Sequence, residues 1–250
     1  MTIRRDSGVP LYVQLKESLQ EKIVQGEWVV GMELPSEQEL CDTYGVSRTV
    51  VRQALDDLNL TGVVHKQRGK KTFVASAKLD ETWVHKVTGF HQAMSEKGHR
   101  VVTQVLAQEL IPANAQLAAS LNVAKNSSVI WIKRLRFVEG DPILLVDSYV
   151  PYALCPDLLN ADLTDQSLYA YLESHGLTLA SGMRTLEAIP ANDYQAQMLQ
   201  MDRNAPLMLL DSVVCLDNGT PIEHFRAVHR GDRTRFEVDL VRITTIDKRI

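Results

Sequence analysis

Cysteine is scarce: three in 250 residues, Cys41, Cys155 and Cys215, far apart in the chain. An odd, scattered set supports neither a disulfide framework nor the paired spacing of a structural zinc site. Aromatic residues make up only 6%. Long apolar runs are also missing. The greasiest stretch, Pro206 to Leu216, is broken by Asp211 and falls short of the roughly 18 residues a membrane helix needs. Arg4 and Arg5 near the start have no apolar segment behind them, so the first residues do not read as a signal peptide. The seven histidines form neither HxH nor HExxH, and there is no GxSxG and no phosphate-binding glycine loop. Metal catalysis and the common nucleophile motifs therefore lack a basis, and no cofactor is expected. A net charge of -4 excludes a uniformly basic coat. The expectation is a reduced, cytoplasmic protein without a membrane segment.

What is present is apolar material for real cores, 45% of the chain, enough for one large domain or two modest ones. Charge is unevenly placed. Residues 1–78 hold 11 basic and 10 acidic side chains, leaving 16 basic and 21 acidic for the remainder. Between Arg48 and Lys71 six basic residues stand against only Asp56 and Asp57. A focused positive stripe on an acidic protein points to a polyanion, although a solvated helix face would carry the same charges.

Leu11, Leu15, Leu19 and Ile23 recur every four residues, predicting an amphipathic helix that Gly26 ends. Ser36 and Glu39 form a capping box in front of a short second helix, which Gly45 stops. Ser47 caps a third helix. Its inward stripe is Val51, Ala54, Leu55 and Leu58, while Arg48, Thr49 and Arg52 share another face. Two short β-runs, Val63–Val64 and Thr72–Val74, flank a basic tip around Gly69. Helix, short helix, tight turn, helix and basic hairpin make a winged helix-turn-helix. The candidate DNA-contacting residues are Ser36, Gln38, Ser47, Arg48, Thr49, Arg52, Arg68, Gly69, Lys70 and Lys71.

The stretches PLYVQLKESLQEKI, LPSEQEL, YGVSRTVVRQALDDLNLTGVV and RGKKTFV resemble the winged helix of the GntR superfamily of bacterial transcription regulators. The likeness runs almost unbroken from Pro10 to Val74. Two departures stand out. Gln38 occupies a place where many members carry a DNA-touching arginine, and Lys71 one where a second glycine is common.

Residues 76–82 lack an apolar period and read as a linker between a DNA-binding domain, residues 1–75, and a second domain, residues 83–250. A helix is predicted over Trp83–Lys97. Strand patterns follow over Val101–Ile111, Val129–Val138, Ile143–Val150, Leu177–Ile189, Leu207–Leu216, Ile222–Arg230 and Phe236–Arg242, with helices over Ala113–Leu121, Ser167–Ser174 and Asn192–Met201. Consecutive hairpins with a few helices predict an antiparallel sheet and an α+β fold.

Arg134 and Arg136 lie two apart on one strand and share a face. Two planar guanidiniums suit a carboxylate or a phosphate. Asp147, on the returning strand, would neutralise Arg134 if the register placed it opposite. Glu223 shares a face with Phe225 and Ala227, so it is a sheltered carboxylate suited to ligand hydroxyls. The stretches KRLR, DPILLVDSYVP, SLYAYLESHG and PIEHFRAVHRGDRTRFEVDL resemble the UTRA effector-binding domain of the HutC-type GntR branch, related in fold to chorismate lyase. The resemblance implies a small-metabolite pocket lined by Arg134, Arg136, Ser167, Tyr169 and Glu223, with His229 and Arg230 at its end. It also implies a homodimer on a palindromic operator, most simply a repressor. Amino-sugar-phosphate sensors of this type carry a glutamate where Val146 stands, and many members carry tyrosine where His229 stands. The alternative class is a small-molecule enzyme of chorismate-lyase type.

Overall fold

A computed structural model of the chain describes residues 3–4, 7–67, 71–75, 78–81 and 88–238. At the N-terminus three helices pack together: α1 (Leu11–Val24), α2 (Glu37–Tyr44) and α3 (Arg48–Leu60). Leu15 and Leu19 of α1 meet Leu40 of α2 and Val51, Leu55 and Leu58 of α3 in one buried cluster. The capping box forms as the sequence implies. The Glu39 amide donates to the Ser36 hydroxyl and the Ser36 amide to the Glu39 carboxylate. Gly45 takes the left-handed conformation at the end of α2, which permits the tight turn into α3. The Ser47 hydroxyl accepts from the Val50 amide and so caps α3.

The hairpin β1 (Val64–Gln67) and β2 (Lys71–Val74) is antiparallel and buries Val64 and Val74 against the helices. The Leu34 amide donates to the Thr72 carbonyl, tying the α1–α2 connection to the wing.

The second domain is a six-stranded antiparallel sheet in the order β4-β5-β6-β9-β8-β7. Its strands are β4 (Val101–Pro112), β5 (Ser128–Val138), β6 (Asp141–Pro151), β7 (Leu179–Pro190), β8 (Pro206–Leu216) and β9 (Pro221–Arg230). The β5–β6 turn uses Glu139 and Gly140, both at positive φ, as tight hairpins require. One sheet face packs against α4 (Phe90–Glu96), a 3-10 turn at Pro156–Asn160 and α6 (Leu168–Ser174). The other carries α7 (Asp193–Met198) over Leu135, Leu145, Leu207, Leu209 and Val228. The short α5 (Ala115–Ser120) packs on Val129.

Three expectations are corrected. The helix predicted from Trp83 begins at Phe90 with Gly89 as its N-cap; residues 83–87 lie outside the described residues. Part of the expected linker, Leu79–Glu81, forms strand β3, which pairs in parallel with β10 (Thr234–Phe236). That pairing joins segments about 155 positions apart, so no local pattern announces it. The strand predicted over Phe236–Arg242 is therefore β10, which ends at Phe236; residues 239–242 lie outside the described residues.

Candidate nucleic-acid interface and effector cavity

The N-termini of α2 and α3 lie side by side and present one polar surface. Ser36, Gln38, Ser47, Arg48, Thr49 and Arg52 are all exposed on it. The Arg48 guanidinium donates to the Gln38 Oε1 at 2.6 Å, and Gln38 in turn donates to Asp42 at 2.9 Å. Arg52 donates to Glu37 at 2.9 Å. On the wing, Lys71 pairs with Glu33 at 2.8 Å. Exposed pairs of this kind contribute little to stability, so both arginines are available to exchange a protein partner for a phosphate or a base edge. Ser36 and Ser47 already use their hydroxyls as caps. Arg68, Gly69 and Lys70 lie outside the described residues. The acidic partners Glu37 and Glu33 were missed by sequence reasoning. They sit fifteen and thirty-eight positions from the side chains they hold, and only the folded arrangement brings them close.

In the second domain, strand alternation puts Arg134 and Arg136 of β5, Val146 and Ser148 of β6, and Glu223, Phe225, Ala227 and His229 of β9 on one sheet face. Gly89, Phe90, Ser167 and Tyr169 close over them from α4 and α6. They line a cavity of about 50 Å³, room for a few water molecules. Arg134 is 3% exposed, Arg136 5% and Glu223 2%. Arg134 donates one bond, to the Ser148 hydroxyl at 2.9 Å. Its Nε and Nη1, the Nε and Nη1 of Arg136, and Oε2 of Glu223 have no hydrogen-bond partner among the described residues.

Arg136 lies over the Phe90 ring at 5.7 Å. Burial pushes Arg134 down from the usual guanidinium range, and burial together with the adjacent Arg134 charge pushes Arg136 well down. Tyr169 is moved the other way. Burial, then the Glu223 charge and a hydrogen bond to it, hold the phenol protonated far above its ordinary range. A buried donor left unmade costs about 1–3 kcal/mol, and four such guanidinium donors, on Arg134 and Arg136, face this one cavity.

Ser167 is the N-cap of α6, yet its hydroxyl makes no cap bond; a β-carbon placed on Gly89 would stand 2.9 Å from it. The φ of Gly89, -73°, is ordinary, so only this contact with the Ser167 side chain restricts the position. Two expectations about the cavity fail on strand parity. Lys133 is Asp147's partner across the strands, and Val146 is Arg134's. Asp147 faces the opposite side, where it accepts from the Trp131 indole at 2.8 Å and meets Lys133 at 3.5 Å. Arg230, next to His229, also points away from the cavity and binds Asp232 and the Leu199 carbonyl. Ser148 was missed, although it lies two residues beyond Val146 and its parity marks it. Gly89 had no sequence signal, whereas helical period with Met94 marks Phe90 as inward.

A winged helix-turn-helix joined to a sheet domain with a cation-lined cavity defines a ligand-sensing transcription regulator. The chain belongs to the gntR family of bacterial regulatory proteins: residues 11–74 match that family, and residues 96–235 match the UTRA domain. It is 32% identical over 237 residues to the HTH-type transcriptional repressor NagR of Bacillus subtilis (strain 168), covering 94% of this chain and 97% of that one. It is 31% identical to the histidine utilization repressor of Pseudomonas putida, covering 93% and 92% of the two chains. Among solved structures, PhnF from Mycobacterium smegmatis superposes with a TM-score of 0.65 at 25% identity, over 92% of this chain and 98% of that one. Among the described residues no helix is long and apolar enough to cross a membrane.

Proposed function

We propose that this protein is a cytoplasmic, non-enzymatic repressor that holds a palindromic operator as a homodimer and releases it when a small anionic metabolite enters the cavity. Residues 1–75 bind DNA, residues 76–82 connect, and residues 83–250 sense and dimerise. The observation that carries this reading is the set of orphaned donors on Arg134 and Arg136 beside the orphaned Oε2 of Glu223. Two buried cations against one carboxylate leave an excess positive charge, which a carboxylate or phosphate group balances. Glu223 then accepts a ligand hydroxyl. Tyr169 and Ser167 supply hydroxyl donors, and the apolar wall of Leu144, Val146 and Phe225 admits carbon. The relatives named for repression support the sign of regulation.

Calorimetry with sugar phosphates and small carboxylic acids tests the sensor. Fluorescence anisotropy on DNA from the regulator's own upstream region tests release. Binding without turnover, together with ligand-weakened DNA affinity, is the expected result. Chemical conversion of the bound acid would instead mark an enzyme of chorismate-lyase type.

A further inference from the structure

We propose that the segment from His229 to Phe236 is a stiff relay that couples the effector cavity to the DNA-binding domain through a docking contact on Gly62. The proposal rests on the reading of the cavity as the effector site.

At the end of β9 two neighbouring side chains face opposite ways. His229 lines the cavity, with its ring 6.1 Å from Phe90 and 5.3 Å from Phe236 of β10. Arg230 points to the other side and clamps Asp232 through two bonds, at 3.0 and 2.6 Å. The turn between them is held on every side. The Gly231 amide donates to the Pro206 carbonyl at 3.0 Å. A β-carbon on Gly231 would stand 2.8 Å from that same oxygen, so the turn admits no padding.

From this turn the contacts run toward the first domain. Lys78 donates to the Gly231 carbonyl at 3.0 Å, and the Leu79 amide to the Arg233 carbonyl at 2.8 Å, which starts the β3–β10 pairing. Gly62, just beyond α3, lies so close to the turn that a β-carbon would fall 2.4 Å from the Asp232 carbonyl oxygen. Its φ of +73° sets the same requirement independently. The end of α3, the connecting strand and the cavity wall thus meet on one short segment. Close-packed backbone with no slack passes a displacement on rather than absorbing it. A ligand that shifts His229 or Phe90 therefore shifts the seat of α3, provided its affinity differs between the two arrangements.

Hydrogen exchange on the full-length chain, read by mass spectrometry, tests this without knowing the effector. His229→Ala perturbs the cavity end and Gly62→Ala the DNA-domain end. The expected result for His229→Ala is exchange about tenfold faster in segments 59–64 and 78–81, with α2 unchanged. Gly62→Ala is expected to speed exchange over 229–236 similarly. Should Gly62→Ala fail to fold, Lys78→Met removes one bond of the contact and carries the same expectation. Confinement of each effect to its own domain overturns the relay, as does a uniform rise across the chain. Calorimetry of the wild-type chain with inorganic phosphate and small carboxylates separates the two readings. Anion binding with no propagation refutes the relay alone, whereas no anion binding at all refutes the effector reading and the relay's regulatory role with it.

Discussion

Arg134 and Val146 stand directly across from each other in the β5–β6 pair, both turned into the cavity, while Asp147 is turned out. The cavity therefore has cations to meet an anion and, facing Arg134, hydrocarbon in place of a second carboxylate beside Glu223. Glucosamine 6-phosphate should bind more weakly than an uncharged-hydroxyl sugar phosphate or a small acid. An unpartnered buried polar group costs about 1–3 kcal/mol, a loss of roughly five- to 150-fold. Val146→Glu should reverse the order in calorimetric titrations. Tight glucosamine 6-phosphate binding by the unaltered chain would show that another group replaces the missing carboxylate.

The orphaned arginines imply a trade of stability for binding. Arg136 is buried beside a like charge with two unmade donors. Replacing a buried charge by an apolar side chain of similar volume is often neutral or stabilising. Arg136→Met should raise the melting temperature of the ligand-free protein and reduce anion affinity at least about tenfold. The lost stacking on Phe90 works against the gain without cancelling it. A drop in melting temperature together with retained anion affinity would mean that Arg136 is structural.

Much of the N-terminal domain was legible because its determinants are local. Ser36 and Glu39 lie three residues apart, the Val51–Leu58 stripe follows helical period, and Gly45 marks its turn. In the sheet domain, alternation placed Arg134, Arg136 and Glu223 on faces correctly but left the register open. A bulge between Arg136 and Phe137 shifts the pairing by one residue. Without it Arg134 would face Leu145 and Val146 would change sides. No residue type in the strand announces that shift. Arg230 was misplaced for a related reason. A cluster of charged residues near a predicted pocket says nothing of parity until the strand end is known. The β3–β10 pair and the α4 cap were illegible because long-range contacts decide them.

Acid should weaken the fold through His65. This wing residue is stacked on Phe73, and its Nδ1 is buried without a hydrogen-bond partner among the described residues. Burial is the first cause that lowers its pKa from 6.5, and the charges of Arg233 and Arg230 add to it against those of Asp141 and Asp232. A folded-state pKa below the unfolded one means that the unfolded chain binds more protons. The associated stability is present above pH 6.5 and is lost as pH falls below it toward the folded value. His91 is lowered from 6.5 by burial as well, so part of the effect survives any one substitution. His65→Asn should show a smaller fall in melting temperature between about pH 7.5 and 5.5. An unchanged pH profile would exclude His65 as a contributor.

The wing should contribute through charge rather than base reading. Lys71 is exposed and paired with Glu33 at the surface, and Lys70 precedes it in the sequence. Phosphate neutralisation releases counterions, so the dependence of log affinity on log salt should fall by about one for each lost contact. Lys70→Ala with Lys71→Ala should weaken binding to operator and random DNA alike, with a flatter salt slope. A fixed slope with altered sequence preference would assign base contacts to the wing.

The recognition surface makes a prediction with two opposite signs. Arg48 and Arg52 present their guanidiniums beside the α3 N-terminus, held by Gln38 and Glu37 respectively. Arg48→Ala or Arg52→Ala should cost about 1–3 kcal/mol of operator discrimination, the range of a lost bidentate base contact. Circular dichroism and anion binding should not change, because both side chains are exposed and far from either core. Glu37→Gln should act in the other direction. It removes the carboxylate that competes with DNA for Arg52 and takes a like charge away from the phosphate backbone, so affinity for all sequences should rise. Because the pair is surface-exposed, stability should shift by less than about 1 kcal/mol. Anisotropy titrations at fixed salt compare the variants on operator and random duplexes. Near-normal operator affinity in both arginine variants would remove α3 from the interface. Weaker DNA binding in Glu37→Gln would mean that the carboxylate orients Arg52 for its target instead of withholding it.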